Sequence, residues 1–217
     1  MKSDAQLKTD VTAEFEWDPS VNAAHVGVTV MDGVVTLTGH LDTYGEKYAI
    51  ERAVQRVEGV KATAVELDVR LSPDHKRNDS EIAAAAENAF KWHALIPAER
   101  IQIKVERGWI TLTGEVEWEF QRANADKAVR ALTGVVGVTN SIKLRQPAAP
   151  ENVANRIRDA LTRQADQEAR NIEVMVSGAT VTLRGKVHSW AERSAAQGAA
   201  WSAPGIARVV NELNVSR

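Results

Sequence analysis

The chain contains no cysteine, so disulfide staples, thiolate metal sites and a thiol nucleophile are excluded. It lacks the compositional bias of fibrous or disordered chains, with 44% hydrophobic and 26% charged residues. No apolar run approaches the roughly 20 residues needed to span a bilayer. The N-terminal stretch Met1 to Lys8 has no apolar core of the about 7 to 15 residues a signal peptide requires, and no acceptor cysteine for a lipid. The expectation is a cytoplasmic protein, at most peripheral to the inner membrane.

A dominant charge of one sign is also missing. The net charge is −2. Residues 1–78 carry 13 acids against 9 bases, residues 79–149 carry 9 against 9, and residues 150–217 carry 7 against 9. This gradient from acidic to mildly basic lacks the concentrated Lys and Arg from which nucleic-acid binders draw affinity, so no nucleic-acid partner is expected. The five histidines, His25, His40, His75, His93 and His188, show neither an i, i+4 pair nor a Glu-x-x-His pair. No metal and no cofactor are therefore expected. Glu115, Glu117 and Glu119 form an acidic cluster that reads as a solvated strand end, and spacing alone gives no acid/base pair. No catalytic residues are assigned.

What the chain does contain is one phrase repeated three times: Val35-Thr36-Leu37-Thr38-Gly39, Ile110-Thr111-Leu112-Thr113-Gly114 and Val181-Thr182-Leu183-Arg184-Gly185. Each closing glycine is followed 20 residues later by Gly59, Gly134 or Gly205. A period of about 70 residues suits a small complete domain rather than a solenoid unit.

Within each period the apolar pattern changes twice. It begins with helical spacing at Leu7, Val11 and Phe15; Ile82, Ala86 and Phe90; and Val153, Ile157 and Leu161. Asp4, Asp79 or Ser80, and Pro150 supply the helix starts. Alternation follows at Val26, Val28 and Val30; Ile101, Ile103 and Val105; and Ile172, Val174 and Val176. Turn residues at Asp32-Gly33, Arg107-Gly108 and Ser177-Gly178 then lead into the threonine-rich phrase, which predicts a hairpin. The third turn sits one residue earlier relative to its strand, so its type should differ. An alanine-rich segment between the two fixed glycines predicts a second helix, and a final alternating strand ends the unit.

The expected fold is α+β, three tandem α-β-β-α-β units over residues 1–71, 79–145 and 150–217. Each unit would be a three-stranded mixed sheet with two helices packed on one face. The glycines read as backbone devices, with Gly39, Gly114 and Gly185 at strand ends and Gly59, Gly134 and Gly205 as helix caps. The linkers, Leu71 to Asn78 and Gln146 to Pro150, contain proline and read as semi-rigid spacers.

The element order, the V-T-L-T-G strand and the ending G-V-x-x-V-x-N-x-I/L-x-V/L resemble the BON domain family (bacterial OsmY and nodulation). Gly134-Val135, Val138, Asn140, Ile142 and Leu144 meet that ending, as do Gly205-Ile206, Val209, Asn211, Leu213 and Val215. The first unit departs from it with Thr63 and Val65. The resemblance implies a non-enzymatic binding module that attaches to phospholipid membranes, with roles in osmotic or envelope stress.

Candidate contacts come from aromatic residues beside bases at the entry to the second helix. They are Tyr44 with Lys47, Trp118 and Phe120 with Arg122, and Trp190 with Arg193. A ring beside a cation suits a headgroup interface. Trp17 and Trp92, just beyond the first-helix stripe, read as core or cap residues. Trp109 falls on the threonine face of its strand, as a docking residue or as inter-domain packing. The expected partner is an anionic phospholipid surface or a membrane-associated protein. The alternatives are a cytoplasmic protein-interaction scaffold without lipid affinity, and small-molecule binding in a cleft between units.

Overall fold

The computed structural model describes residues 2–145, 152–164 and 172–215. Unit 1 runs α1 (Asp4–Trp17), β1 (Val26–Met31), β2 (Val34–Leu41), α2 (Tyr44–Arg56) and β3 (Ala62–Val69). Unit 2 runs α3 (Asp79–Trp92), β4 (Ile101–Glu106), β5 (Trp109–Val116) and α4 (Glu119–Arg130), with its last strand in two pieces, β6 (Gly137–Asn140) and β7 (Lys143–Leu144). Unit 3 runs α5 (Val153–Gln164), β8 (Ile172–Ser177), β9 (Thr180–Val187), α6 (Trp190–Trp201) and β10 (Arg208–Val215). The helix start expected at Pro150 and the second linker lie outside the described residues.

In every unit the threonine-rich strand is central. It pairs antiparallel with its hairpin partner and parallel with the strand that returns after the second helix, as a helical crossover requires. The helices cover the face that carries Val35, Leu37 and Leu41, or their equivalents, and the threonines face outward. Each unit has its own core, and the expected first-helix stripes are buried in all three.

The hairpins bear out the one-residue offset. Asp32 and Gly33, and likewise Arg107 and Gly108, both have positive φ, the pattern of a I′ turn. The third loop is Gly178-Ala179, with positive φ at Gly178 alone, as in II′ turns. The first two turns are clasped from outside the hairpin. Asp4 accepts the N–H groups of Asp32 and Gly33 at 2.8 and 3.0 Å, and Asp79 those of Arg107 and Gly108, both at 2.8 Å. The helix-start aspartates thus tie the first helix to the sheet, while Ser3 and Asn78 cap the helices.

Two glycine expectations are corrected. Gly185 (φ 135°) lies inside β9, and Gly39 and Gly114 lie inside β2 and β5 with φ of 128° and 130°, rather than at strand ends. A Cβ at Gly39 or Gly114 would sit 2.0 or 2.1 Å from the carbonyl oxygen of His25 or Arg100. The glycine is required by close approach of the neighbouring strand as well as by φ. Gly59, Gly134 and Gly205 have positive φ but lie about a turn beyond the ends of α2, α4 and α6, in the loop into the last strand. They are loop residues, not helix caps.

Candidate functional site

The second helices begin at equivalent places, with Tyr44, Glu119 and Trp190 as their first residues. The positions lie five residues beyond Gly39, Gly114 and Gly185, so they mark the same point on each unit. Tyr44 packs against the core of unit 2. Trp190 packs against the core of unit 1, and its indole N–H donates to the Val60 carbonyl at 2.8 Å. Trp118, Glu119 and Phe120 at the start of α4 face Gln197, Gly198 and Trp201 of α6 in unit 3. Unit 1 reaches unit 2, unit 2 reaches unit 3 and unit 3 reaches unit 1, each through the same element. Head-to-tail contacts that return to their starting point make a closed ring.

Cations brace this centre. Arg130 of α4 lies 3.5 Å from the ring centroid of Tyr48 in α2 and is paired with Asp126. Arg122 lies 5.2 Å from the ring centroid of Trp201 and 2.7 Å from Glu119. Both are placed for cation–π attraction. Burial pushes the carboxyls of Glu51 and Glu119 above their ordinary value, against the pull of Lys47 and Arg130 on the first and of Arg122 on the second.

The three equivalent bases have different roles. Lys47 donates to the Leu67 carbonyl at 3.0 Å. Arg193 donates to the carbonyls of Leu213 and Asn211 at 3.1 and 2.6 Å and lies 5.0 Å from the Trp190 ring centroid. Both bases tie the second helix to its own last strand. Arg122 turns instead toward unit 3. The strand asparagines add to the tie in units 2 and 3. Asn140 donates to the Arg122 carbonyl at 3.0 Å and accepts the Ile142 N–H, while Asn211 donates to the Arg193 carbonyl at 3.3 Å and accepts the Leu213 N–H. Val65 in unit 1 has no such bond to make.

Of the sequence-derived contact residues, Tyr44 and Trp190 are therefore taken up between units. Trp118 and Phe120 are 37% and 48% exposed at the rim of the seam between units 2 and 3. Trp109 is 47% exposed on the outer sheet face. It covers Gly137, its cross-strand neighbour, and donates to the Thr139 hydroxyl at 2.9 Å. Its contacts are with its own sheet.

Trp17 and Trp92 require a correction. Far from lying in the core, they are 83% and 90% exposed at the C-terminal ends of α1 and α3, and Leu95 beside Trp92 is 55% exposed. The sequence held the signal. Each tryptophan lies two residues past the buried Phe15 or Phe90, about 200° round the helix from the stripe. Arg56 steadies the end of α1 near Trp17 through ion pairs to Glu14 and Asp18 at 2.6 and 2.5 Å. The Asp18 carboxyl is held at about 2, first by the Ser20 hydroxyl and then by Arg56.

Among the described residues there is no group of three or more His, Asp or Glu side chains placed to hold a metal, and no helix long and apolar enough to cross a membrane. The model of the BON domain matches residues 3–70, 78–146 and 151–217. The chain is also similar to osmotically-inducible protein Y of Escherichia coli (strain K12), at 23% identity over 146 residues, covering 65% of this chain and 73% of that protein. Two solved structures of CdsD, described as a structural protein of the type III secretion system of Chlamydia trachomatis, share 15% identity. One match covers 94% of this chain and 90% of that structure with a TM-score of 0.26, and the other covers all of both chains with a TM-score of 0.27. These scores are too low for the overall arrangements to be compared.

Proposed function

The chain belongs to the BON domain family, and on that premise we propose that it is a non-enzymatic binding protein, a closed array of three BON domains that attaches peripherally to phospholipid during osmotic or envelope stress. The link to osmotic stress draws on its similarity to osmotically-inducible protein Y. The observation that carries the membrane reading is the near-complete exposure of Trp17 and Trp92 at equivalent helix ends. In a ring whose units are related by rotation, equivalent points lie at one height along the axis. The reading requires both indoles to meet one membrane surface, at the interfacial depth where tryptophan is enriched. Two weak contacts held on one chain gain from effective concentration.

Charge has a smaller part in this attachment. A Lys or Arg near an anionic surface contributes about 1 kcal/mol, and no segment is polybasic. Trp118 and Phe120 remain proposed secondary contacts, since both are exposed. A scaffold reading, in which the outer sheet face binds another protein, is favoured by one feature, the half-exposed Trp109 among threonines.

Co-sedimentation of the full chain with neutral and with anionic vesicles, at low and at physiological salt, tests the lipid reading. Binding stronger to anionic vesicles, moderately weakened by salt and lost in the Trp17→Ala/Trp92→Ala double variant, is the expected result. No sedimentation with either vesicle, or full binding by the double variant, overturns it.

A further inference from the structure

The three seams of the ring share one construction and differ in what fills them. Tyr44 fills the seam from unit 1 to unit 2 and Trp190 the seam from unit 3 to unit 1. At the third seam the equivalent residue is Glu119, which is ion-paired with Arg122 and lines the seam without filling it. No ring from the first position of the helix enters unit 3. A cleft of about 860 Å³ is left between α4 and α6, walled by Trp118, Phe120, Trp201 and Tyr48.

A second, independent feature leaves one wall of the cleft without a side chain. Gly198 lies inside α6 on its wall, and a Cβ added there would meet nothing within 4 Å. At the same place in α2 and α4 stand Arg52 and Lys127. Glycine is a poor choice for a helix interior unless backbone or space is needed. Here the space adjoins an existing interface, because Arg122 lies over Trp201 at the edge of the same cleft.

We infer that this cleft is a binding site for a small planar aromatic molecule carrying an N–H or O–H donor, the chemistry of the rings that fill the other two seams. The Trp118 and Phe120 rings supply faces for offset or edge-to-face stacking. The Glu119 carboxylate supplies the acceptor, as the Val60 carbonyl does for Trp190. The site is separate from the first-helix tryptophans and shares only Trp118 and Phe120 with the secondary contacts, so titration without lipid tests it apart from membrane attachment.

The test is titration of the full-length chain, labelled at its tryptophan side chains, with indole, following the indole N–H signals by NMR. Saturable shifts confined to Trp118 and Trp201, absent with cyclohexanol, are expected. Glu119→Trp places a ring of the protein's own in the seam and should weaken indole binding at least tenfold, and Trp201→Ala, which removes a wall, should do the same. Absence of a saturable shift, equal shifts with cyclohexanol, or wild-type affinity in whichever of these variants folds overturns the assignment.

Discussion

Where unit 3 meets unit 1, Trp190 lies on the neighbouring core with its N–H on the Val60 carbonyl. Where unit 2 meets unit 3, the same helix position holds Glu119, and an aromatic-walled cleft remains. The covalent chain explains why the two seams can differ. Units 2 and 3 follow one another directly, so their local concentration is high even if the seam between them is incomplete. Units 3 and 1 are joined only through unit 2. Their seam must hold itself, and a buried indole with a satisfied donor is the means.

The largest expected effect follows from removing that indole. Trp190→Ala deletes a ring that packs on the unit 1 core and orphans the Val60 carbonyl, and should cost about 2–3 kcal/mol, below the 3–5 typical of a fully buried tryptophan because the ring is only partly buried. Urea unfolding should show the loss, and small-angle scattering of the folded variant should show a larger radius of gyration as the ring opens. A variant with unchanged midpoint and unchanged radius would mean that this seam does not close the molecule.

A smaller effect of opposite sign is expected at the open seam. Gly198→Ala removes the conformational cost of glycine from the interior of α6 into space that meets no atom, and should stabilise the chain by about 0.5–1 kcal/mol. Thermal unfolding checks this. A lower midpoint would show that the wall of the cleft is packed after all.

How much is legible in the sequence differs between the units and the seams. Periodicity of two and of 3.6 lies within short windows, so the hairpins, the helix stripes at Leu7, Val11 and Phe15, and even the altered turn at Ser177-Gly178 can be read directly. Gly39 is legible as a backbone requirement, but the nearby His25 carbonyl that makes it one belongs to another strand. The Asp4 and Asp79 clasps are hidden for the same reason, because an aspartate at a helix start already has a local explanation. Trp190 and Val60 are 130 residues apart, and no periodic signal spans that distance. Aligning the repeats places Tyr44, Glu119 and Trp190 at one position, yet only the packing of units reveals that two of them are plugs. Proximity to the stripe offers Trp17 and Trp92 as core or cap residues, and the core half fails because their angle round the helix points outward.

The smallest expected effect sharpens the comparison through pH. The Glu119 carboxyl is raised by burial in the folded chain, so it holds its proton more tightly there than in the unfolded chain. The folded state then gains from this group as pH falls from the raised value toward the ordinary carboxyl value, and loses that gain as pH rises through the same window. Above the window, the wild type keeps an ionised carboxylate in the seam, and Arg122 offsets only part of the cost. Glu119→Gln removes the titration. The variant's stability relative to wild type should therefore increase with pH across that window, by a margin that solvent screening of this partly exposed group keeps small. Trp190→Ala should show no such slope, because no carboxyl occupies its place. Urea midpoints of wild type and Glu119→Gln at several pH values between the ordinary carboxyl range and neutrality would measure the slope. A flat or falling difference would mean that Arg122 fully compensates the buried charge, leaving the two seams distinguished by shape alone.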